Sequence, residues 1–246
     1  MNLKASLTIA IIPVRGGSKG TPRKNIKPLA GKPLLWYVVQ AAKGAKLIDL
    51  IVVSTEDEEI AAVAKTLDVE VLRHPSFLST DASPSFGVIQ WAVSELESRG
   101  TNAKISVLLR ATSPFCNSSD IDAAVRLLQS NSWADSVVSV SLALGVHPIK
   151  LKRLSSDGRL IDAFGDEGGT PTRRQDLEPL YQRNAAIYVS RPELIRNGRL
   201  WGPSCLAYVM PEERSLNINT PFQFKLADLL MKELTQGVSA TSKSGT

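Results

Sequence analysis

The chain is short of the residues that mark several common functions. Cysteine occurs only twice in 246 residues, as Cys116 and Cys205. Two thiols so far apart give neither a disulfide framework nor metal-site spacing, so both are expected to be reduced and buried. Aromatic residues make up 6% of the chain, and no long basic block accompanies its net charge of +5. That pattern argues against nucleic acid as a partner and for positive charge gathered at one anionic pocket. No apolar run approaches the length of a membrane span. The first strand begins within a few residues of Met1 and leaves no room for a cleavable leader, so a cytoplasmic protein is expected. Two familiar nucleotide loops are also missing. The four-residue spacing of a P-loop does not occur, nor does Gly-x-Gly-x-x-Gly.

What is there begins at Ile11. "IIPVRGGSKGTPRKN" runs straight from a β-branched strand into a loop with three glycines, two arginines and two lysines. Gly16, Gly17 and Gly20 are expected to take positive φ and expose backbone N–H groups. Arg15, Lys19, Arg23 and Lys24 surround those donors with positive charge. Such a loop suits a polyanion, and a triphosphate is the natural candidate.

The rest of the chain alternates strand and helix. Thr8 to Val14, Leu50 to Ser54, Val69 to Leu72, Ile105 to Leu109 and Ala134 to Ser141 read as strands. Helices are expected from Pro33–Leu34 to Ala45, over "EDEEIAAVAKTL", from Pro84 to Ser98, and after a cap at Ser118 or Ser119. This order implies an α/β, doubly wound, mostly parallel sheet covered on both faces. Ligands on such sheets bind beyond the carboxyl ends of the strands, where the glycine loop sits. The alternation breaks between Leu142 and Arg183, a segment rich in Gly, Pro and charge. It reads as an inserted arm that packs on a second subunit. Strands resume at Ala185 to Val189 and Cys205 to Met210, and Thr220-Pro221 opens a last helix to about Leu234. The expected organisation is one α/β domain of residues 1–141 and 184–236, the arm at 142–183, and a disordered tail from 237.

These segments resemble the acylneuraminate cytidylyltransferases, the CMP-sialic acid synthetases. The resemblance is carried by "IPVRGGSKGTPRKNIKPLAGKPLL" and continues, in order, through "IVVSTEDEEIAAVAK", Asp81-Ala82-Ser83, "LLRATSP", "RNAAIYV" and "SLNINTPFQFKLADLL". It implies a Rossmann-like nucleotidyltransferase fold and a homodimer. The implied reaction moves CMP from CTP to the anomeric hydroxyl of a nonulosonic acid and releases pyrophosphate. By this resemblance Arg15 and Lys24 are the catalytic cations, with Gly16, Gly17, Ser18 and Asn25 beside them on the nucleotide. Fixed cations aimed at developing phosphoryl charge are a strong catalytic device. Arg73 and Ser83 match positions around the cytosine, with Ser85 a competing match for Ser83. Arg110, Lys150, Arg174 and Asn184 match positions near the sugar acid, whose carboxylate calls for bidentate Arg.

Two departures from the family pattern bear on function. Relatives carry Asp-Ile-Asp, the expected Mg²⁺ ligands, where this chain has Asn217-Ile218-Asn219. Neutral amide oxygens offer a hard cation less than carboxylates do, so metal binding should be weakened or lost. Asp81 is the conceivable substitute anion. The second departure is Arg110, where relatives have Gln. The rival readings are a family member that binds nucleotide with impaired turnover, a Kdo-type cytidylyltransferase, and, more distantly, a dinucleotide-binding reductase.

Overall fold

A computed structural model describes residues 6–17, 23–79, 85–143, 145, 147–168, 173 and 177–241. The chain enters through strand β1 (Ser6–Pro13). A short hairpin of β2 (Pro28–Leu29) and β3 (Lys32–Pro33) leads into helix α1 (Leu34–Gly44). Then follow β4 (Leu50–Ser54), α2 (Glu58–Thr66), β5 (Glu70–Leu72), α3 (Ser85–Ser98), β6 (Asn102–Leu109), α4 (Ser118–Gln129) and β7 (Ser136–Leu142). Beyond the arm come β10 (Tyr181–Ser190), α5 (Pro192–Arg196), β11 (Cys205–Val209) and α6 (Pro221–Thr241), while the arm itself carries β8 (Lys152–Leu154) and β9 (Leu160–Asp162).

Seven strands form one sheet in the order β11-β7-β10-β6-β1-β4-β5. All neighbouring pairs are parallel except those of β10, which runs antiparallel to both β6 and β7. The period-two geometry of a strand splits β1 between two cores. Ala10 and Ile12 face α1 and α4, packing with Leu35, Val38, Ile121 and Val125. Ile9 and Ile11 face α3 on the other side, packing with Ile89, Val93 and Leu96. A strand buried on both faces needs a continuous apolar run, which accounts for "TIAIIPV".

Local chemistry sets the helix starts. Asp57 accepts from the amides of Glu59 (2.9 Å) and Ile60 (3.0 Å) and so caps α2. Helix α4 is capped one residue before the expected serines. Asn117 and Asp120 exchange side chain-to-backbone bonds in a capping box, so Ser118 is already helical. The Asp120 carboxylate is fully buried and also takes a two-point bond from Arg214 (2.9 Å each) and one from Tyr208 (2.9 Å). Burial, then the Asp120 hydrogen bond and charge, push the Tyr208 hydroxyl up to about 12.

A third, smaller core holds the last helix. Leu29, Leu34, Phe115, Ile218, Phe224, Ala227 and Met231 pack together, which docks α6 against the β2–β3 hairpin. Asp228 accepts from the Ala30 amide at 2.7 Å and fixes that docking. Helix α6 continues to Thr241, past the expected end near Leu234, so the part of the tail from 237 to 241 is helical. Residues 242–246 lie outside the described residues.

The arm has its own small structure. Strands β8 and β9 form an antiparallel hairpin, closed by a turn in which Gly158 takes a φ of 84°. Lys152 pairs with Asp162 and, at 2.7 Å, with Glu167. The sheet reaches further into this segment than expected. Tyr181, Gln182 and Arg183 already belong to β10, paired with Leu142, Ser141 and Val140. Among the described residues no helix is long and apolar enough to cross a membrane.

Candidate active site

The basic loop leaves the carboxyl end of β1 beside the end of β4, where the Val14 amide bonds the Ser54 carbonyl at 2.8 Å. Its two ends are tied together by Asn25, whose side-chain amide donates to the Arg15 carbonyl at 3.2 Å. Residues 18–22 are outside the described residues, and with them Ser18. The glycines work differently from the expectation. Neither Gly16 nor Gly17 has positive φ. Gly16 is needed because a Cβ there would lie 2.3 Å from the Asp57 carboxylate. The left-handed residue is instead Arg23 (φ 52°), which opens the turn Lys24–Ile26.

That turn sends Lys24 inward. Lys24 is 9% exposed, and its ammonium donates to the Ile218 carbonyl at 2.7 Å. Burial, then the positive charges of Arg110 and Arg15, push its pKa below the ordinary lysine value. The Ile218 amide in turn donates to the Thr112 carbonyl at 2.8 Å. Three distant segments therefore meet at one residue: the basic loop, the turn after β6, and the lead-in to α6. Two buried polar atoms here, Ser113 Oγ and Asn217 Oδ1, have no hydrogen-bond partner among the described residues. The cations and the Ser113 hydroxyl can receive an anionic ligand, whereas Asn217 Oδ1 can only accept a hydrogen bond.

The other expected site residues fall in different places. Arg73 lies on the rim of the loop, donating to the Glu56 carbonyl (2.6 Å) and pairing with Glu58 (2.8 Å). Arg110 starts the turn after β6, its amide bonded to the Ala186 carbonyl. Lys150 ends a short turn of the arm, Pro148–Lys150, and is exposed. Asn184 is buried, and its amide is spent within the protein. Its Oδ1 accepts from Ser139 (2.6 Å) and its Nδ2 reaches Met210 Sδ (3.2 Å) and Ser215 Oγ (3.0 Å). It pins an irregularity in β10, where Ala185 takes a φ of 61° and the register with β7 shifts. Asn219 precedes the α6 cap formed by Thr220 and Gln223. Ser83, Asp81 and Arg174 lie outside the described residues, and of Ser85 only the helical backbone is described.

One residue that the sequence pattern did not single out is Glu56. Its carboxylate accepts from the Gly16 amide at 2.9 Å and from Ser79 Oγ at 2.9 Å. His74 Nε2 lies 3.2 Å from the same carboxylate. The available signal was an acidic pair, Glu56-Asp57, immediately after a strand whose neighbour ends in a basic loop.

Over residues 9–210 the chain matches the cytidylyltransferase family. It belongs to that family. Curated relatives include the N-acylneuraminate cytidylyltransferase of Streptococcus agalactiae serotype V, 36% identical over 219 residues. The match covers 88% of this chain and 51% of the relative. The enzyme of that name from Escherichia coli O18:K1:H7 is 34% identical, with 89% and 51% covered. The chain thus spans about half the length of the curated relatives it matches. Among solved structures, a CMP:2-keto-3-deoxy-manno-octonic acid synthetase complexed with CTP has a TM-score of 0.69 at 15% identity, covering 93% of this chain and 99% of that one. A 4-diphosphocytidyl-2C-methyl-D-erythritol synthase has a TM-score of 0.64, also at 15% identity, covering 92% and 100%. These two likenesses establish the fold.

The cluster has a pronounced charge character. A hard dication seeks carboxylate oxygens. The side chains at 217 and 219 are neutral amides, and the Lys24 ammonium already occupies the carbonyl between them. Arg15 and Arg110 add further positive charge. This donor set does not fit a Mg²⁺ ion held by the chain itself. Among the described residues no group of His, Cys, Asp and Glu could hold one elsewhere.

Proposed function

We propose that this chain transfers CMP from CTP to the anomeric hydroxyl of a nonulosonic, sialic-acid-like acid. The observation that carries the proposal is the convergence of Arg15, Lys24 and Arg110 beyond the carboxyl end of β1 in a cytidylyltransferase fold. The anomeric oxygen attacks the α-phosphorus and forms a new P–O bond. The bond from that phosphorus to the bridging oxygen breaks, and pyrophosphate leaves with the electron pair. The hydroxyl proton passes to solvent. Lys24 and Arg15 neutralise charge on the phosphoryl oxygens and the leaving group, and their fixed positions cost little reorganisation. Gly16, Gly17, Ser18 and Asn25 shape the loop that receives the triphosphate.

The remaining roles belong to the same proposal. Arg73 and Ser83 meet the cytosine. Arg110, whose charge is felt at Lys24, meets the sugar's carboxylate next to the reacting phosphate. Lys150 and Arg174 reach the sugar from the arm, and Asn184 supports the site through the shape of β10. Mg²⁺ arrives as part of the MgCTP substrate and is not bound by Asn217 and Asn219. The apolar surface of the arm hairpin, where Leu154 and Leu160 are 74% and 70% exposed, supports a homodimer joined through the arm. A cytoplasmic setting, where CTP is made, completes the reading.

A second reading is favoured by one feature, the neutral pair Asn217 and Asn219. It is a family member that binds CTP and turns it over slowly. Pyrophosphate release from CTP separates the two, measured with a panel of nonulosonic acids and with 2-keto-3-deoxy-manno-octonic acid as a comparison. Release with a nonulosonic acid supports transfer. CTP binding without release from any acid overturns it in favour of the second reading.

A further inference from the structure

Two consecutive acids after β4 hold the two ends of the basic loop. Asp57 holds the far end, through Arg23 at 3.2 and 3.3 Å. Glu56 holds the near end, through the Gly16 amide. The proposed chemistry uses neither acid, yet Glu56 is built into the protein with unusual completeness.

Its Oε1 takes the Gly16 N–H. Its Oε2 takes the Ser79 hydroxyl at 2.9 Å. Ser79 Oγ is 2.6 Å from His74 Nε2, and His74 Nδ1 is 2.9 Å from Ser54 Oγ. The His74 ring is buried and packs edge-on against Trp91. Ser79 can give its proton only once, and Oε2 can only accept, which sets the direction of the chain. Ser54 O–H donates to His74 Nδ1, His74 Nε2–H donates to Ser79 Oγ, and Ser79 O–H donates to Glu56. Burial outweighs the Glu56 charge at His74 and favours the neutral ring this order requires. The relay is anchored in β4, since Ser54 is fully buried and paired with Pro13 of β1.

An amide at the mouth of a phosphate loop would ordinarily be a donor for the phosphate itself. Here it is committed to a carboxylate that is held from its other side by Ser79. The backbone carbonyl of Glu56 is held as well, by Arg73. Resting on the reading of this loop as the CTP site, we propose that Glu56 is a positioning residue. Through the Ser54–His74–Ser79 relay it fixes Gly16, where the chain enters the phosphate loop, before the nucleotide binds.

The full chain is compared as wild type, E56A, E56Q and S79A. Gln can accept from the Gly16 amide with its oxygen. Its N–H then donates to Ser79, Ser79 to His74 Nε2, and His74 Nδ1–H to Ser54, so the relay runs in reverse. Hydrogen exchange at Gly16 is measured without ligand, and CTP binding is followed by calorimetry alongside steady-state rates. In E56A, exchange at Gly16 is expected to rise and CTP KM to increase, each roughly tenfold. The same variant should change kcat by less than about threefold, because the interaction exists before and during the reaction. E56Q is expected to restore both values. S79A, a smaller deletion, should move both in the same direction and carries the comparison if E56A does not fold. Unchanged exchange and KM in E56A, or in S79A where it stands in, overturn the proposal. So does E56Q losing as much as E56A, which would make charge and not position the cause. A wild type that binds no CTP in the calorimeter would overturn the CTP reading alone, because the exchange data test the brace without nucleotide.

Discussion

Lys24 and Ile218 are joined by a 2.7 Å hydrogen bond from the lysine ammonium to the backbone carbonyl, across 194 residues of sequence. The bond makes the position of the basic loop depend on how α6 docks, because Ile218 belongs to the small core under that helix. Replacing Lys24 with Met removes the cation and leaves the carbonyl unpaired. Turnover of CTP is expected to fall by roughly 10²-fold or more. Circular dichroism should show a retained fold, since Met keeps most of the buried stem. Near-normal turnover would remove Lys24 from the phosphate role.

The alkaline limb of the pH profile gives a second test of Lys24. Its folded pKa lies below the ordinary 10.5, through burial and the charges of Arg110 and Arg15. For stability, the cost of holding this charge is complete below the folded pKa and is relieved as pH rises towards 10.5. For activity the sign is opposite, because the cation is lost through the same window. The profile of kcat/KM should therefore bend downward below pH 10.5, and Lys24→Arg should move that bend to higher pH. An identical bend in both proteins would assign it to another group.

Restoring carboxylates tests the charge balance of the site. Asn217→Asp with Asn219→Asp should tighten Mg²⁺ binding to the CTP complex by roughly tenfold, read by titration calorimetry. It should also lower the Mg²⁺ needed for half-maximal turnover. Adding Arg110→Gln should strengthen both effects, because a nearby cation no longer competes. Equal metal dependence in all these proteins would show that this segment takes no part in handling the ion.

Asn184 is expected to matter for stability before it matters for substrate. Asn184→Ala removes the acceptor of the Ser139 hydroxyl and of the Ala186 amide and frees the irregular stretch of β10. A loss of about 1–3 kcal/mol is expected from urea unfolding, the range for buried groups left unpaired. An unchanged midpoint together with a raised sugar KM would return Asn184 to direct contact with the substrate.

The arm hairpin tests assembly. Leu154→Asp with Leu160→Asp places charge on its most exposed apolar surface and should convert a sedimenting dimer into monomer. The described part of the α/β core should keep its circular dichroism. A dimer that survives both changes does not use this surface.

Sequence pattern located the parts of this protein governed by local physics. Strand β4 was placed residue for residue, because a short β-branched run between turn signals has few alternatives. Errors arose where a tertiary partner decided the outcome. Asn117 caps α4 because Asp120, three residues on, reciprocates; hydroxyl preference alone favours Ser118 or Ser119. Gly16 looked like a source of conformational freedom, but its position requires space for Asp57, which is distant in sequence. Asn184, placed near the sugar acid by resemblance, has its amide engaged by Ser139 and Ser215, which nothing in "RNAAIYV" reveals. Glu56 escaped notice for the same reason, since its partners lie at positions 16, 74 and 79.

The antiparallel placement of β10 has a consequence for how such a chain can diverge. Leu142 pairs with Tyr181, and the Ala143 amide bonds the Leu180 carbonyl at 2.8 Å, so the arm leaves and returns through a single two-stranded neck. A parallel return would have threaded the segment across the sheet and tied its length to the crossover. With the neck closed, residues can be gained, lost or exchanged between these two points without shifting the register of a single strand in the nucleotide-binding half. The arm is thus an exchangeable cassette: grafting the equivalent segment of another chain at Leu142 and Tyr181 should leave the strand register of the sheet as it is, and a changed choice of acid in the graft would support the proposed role of the arm.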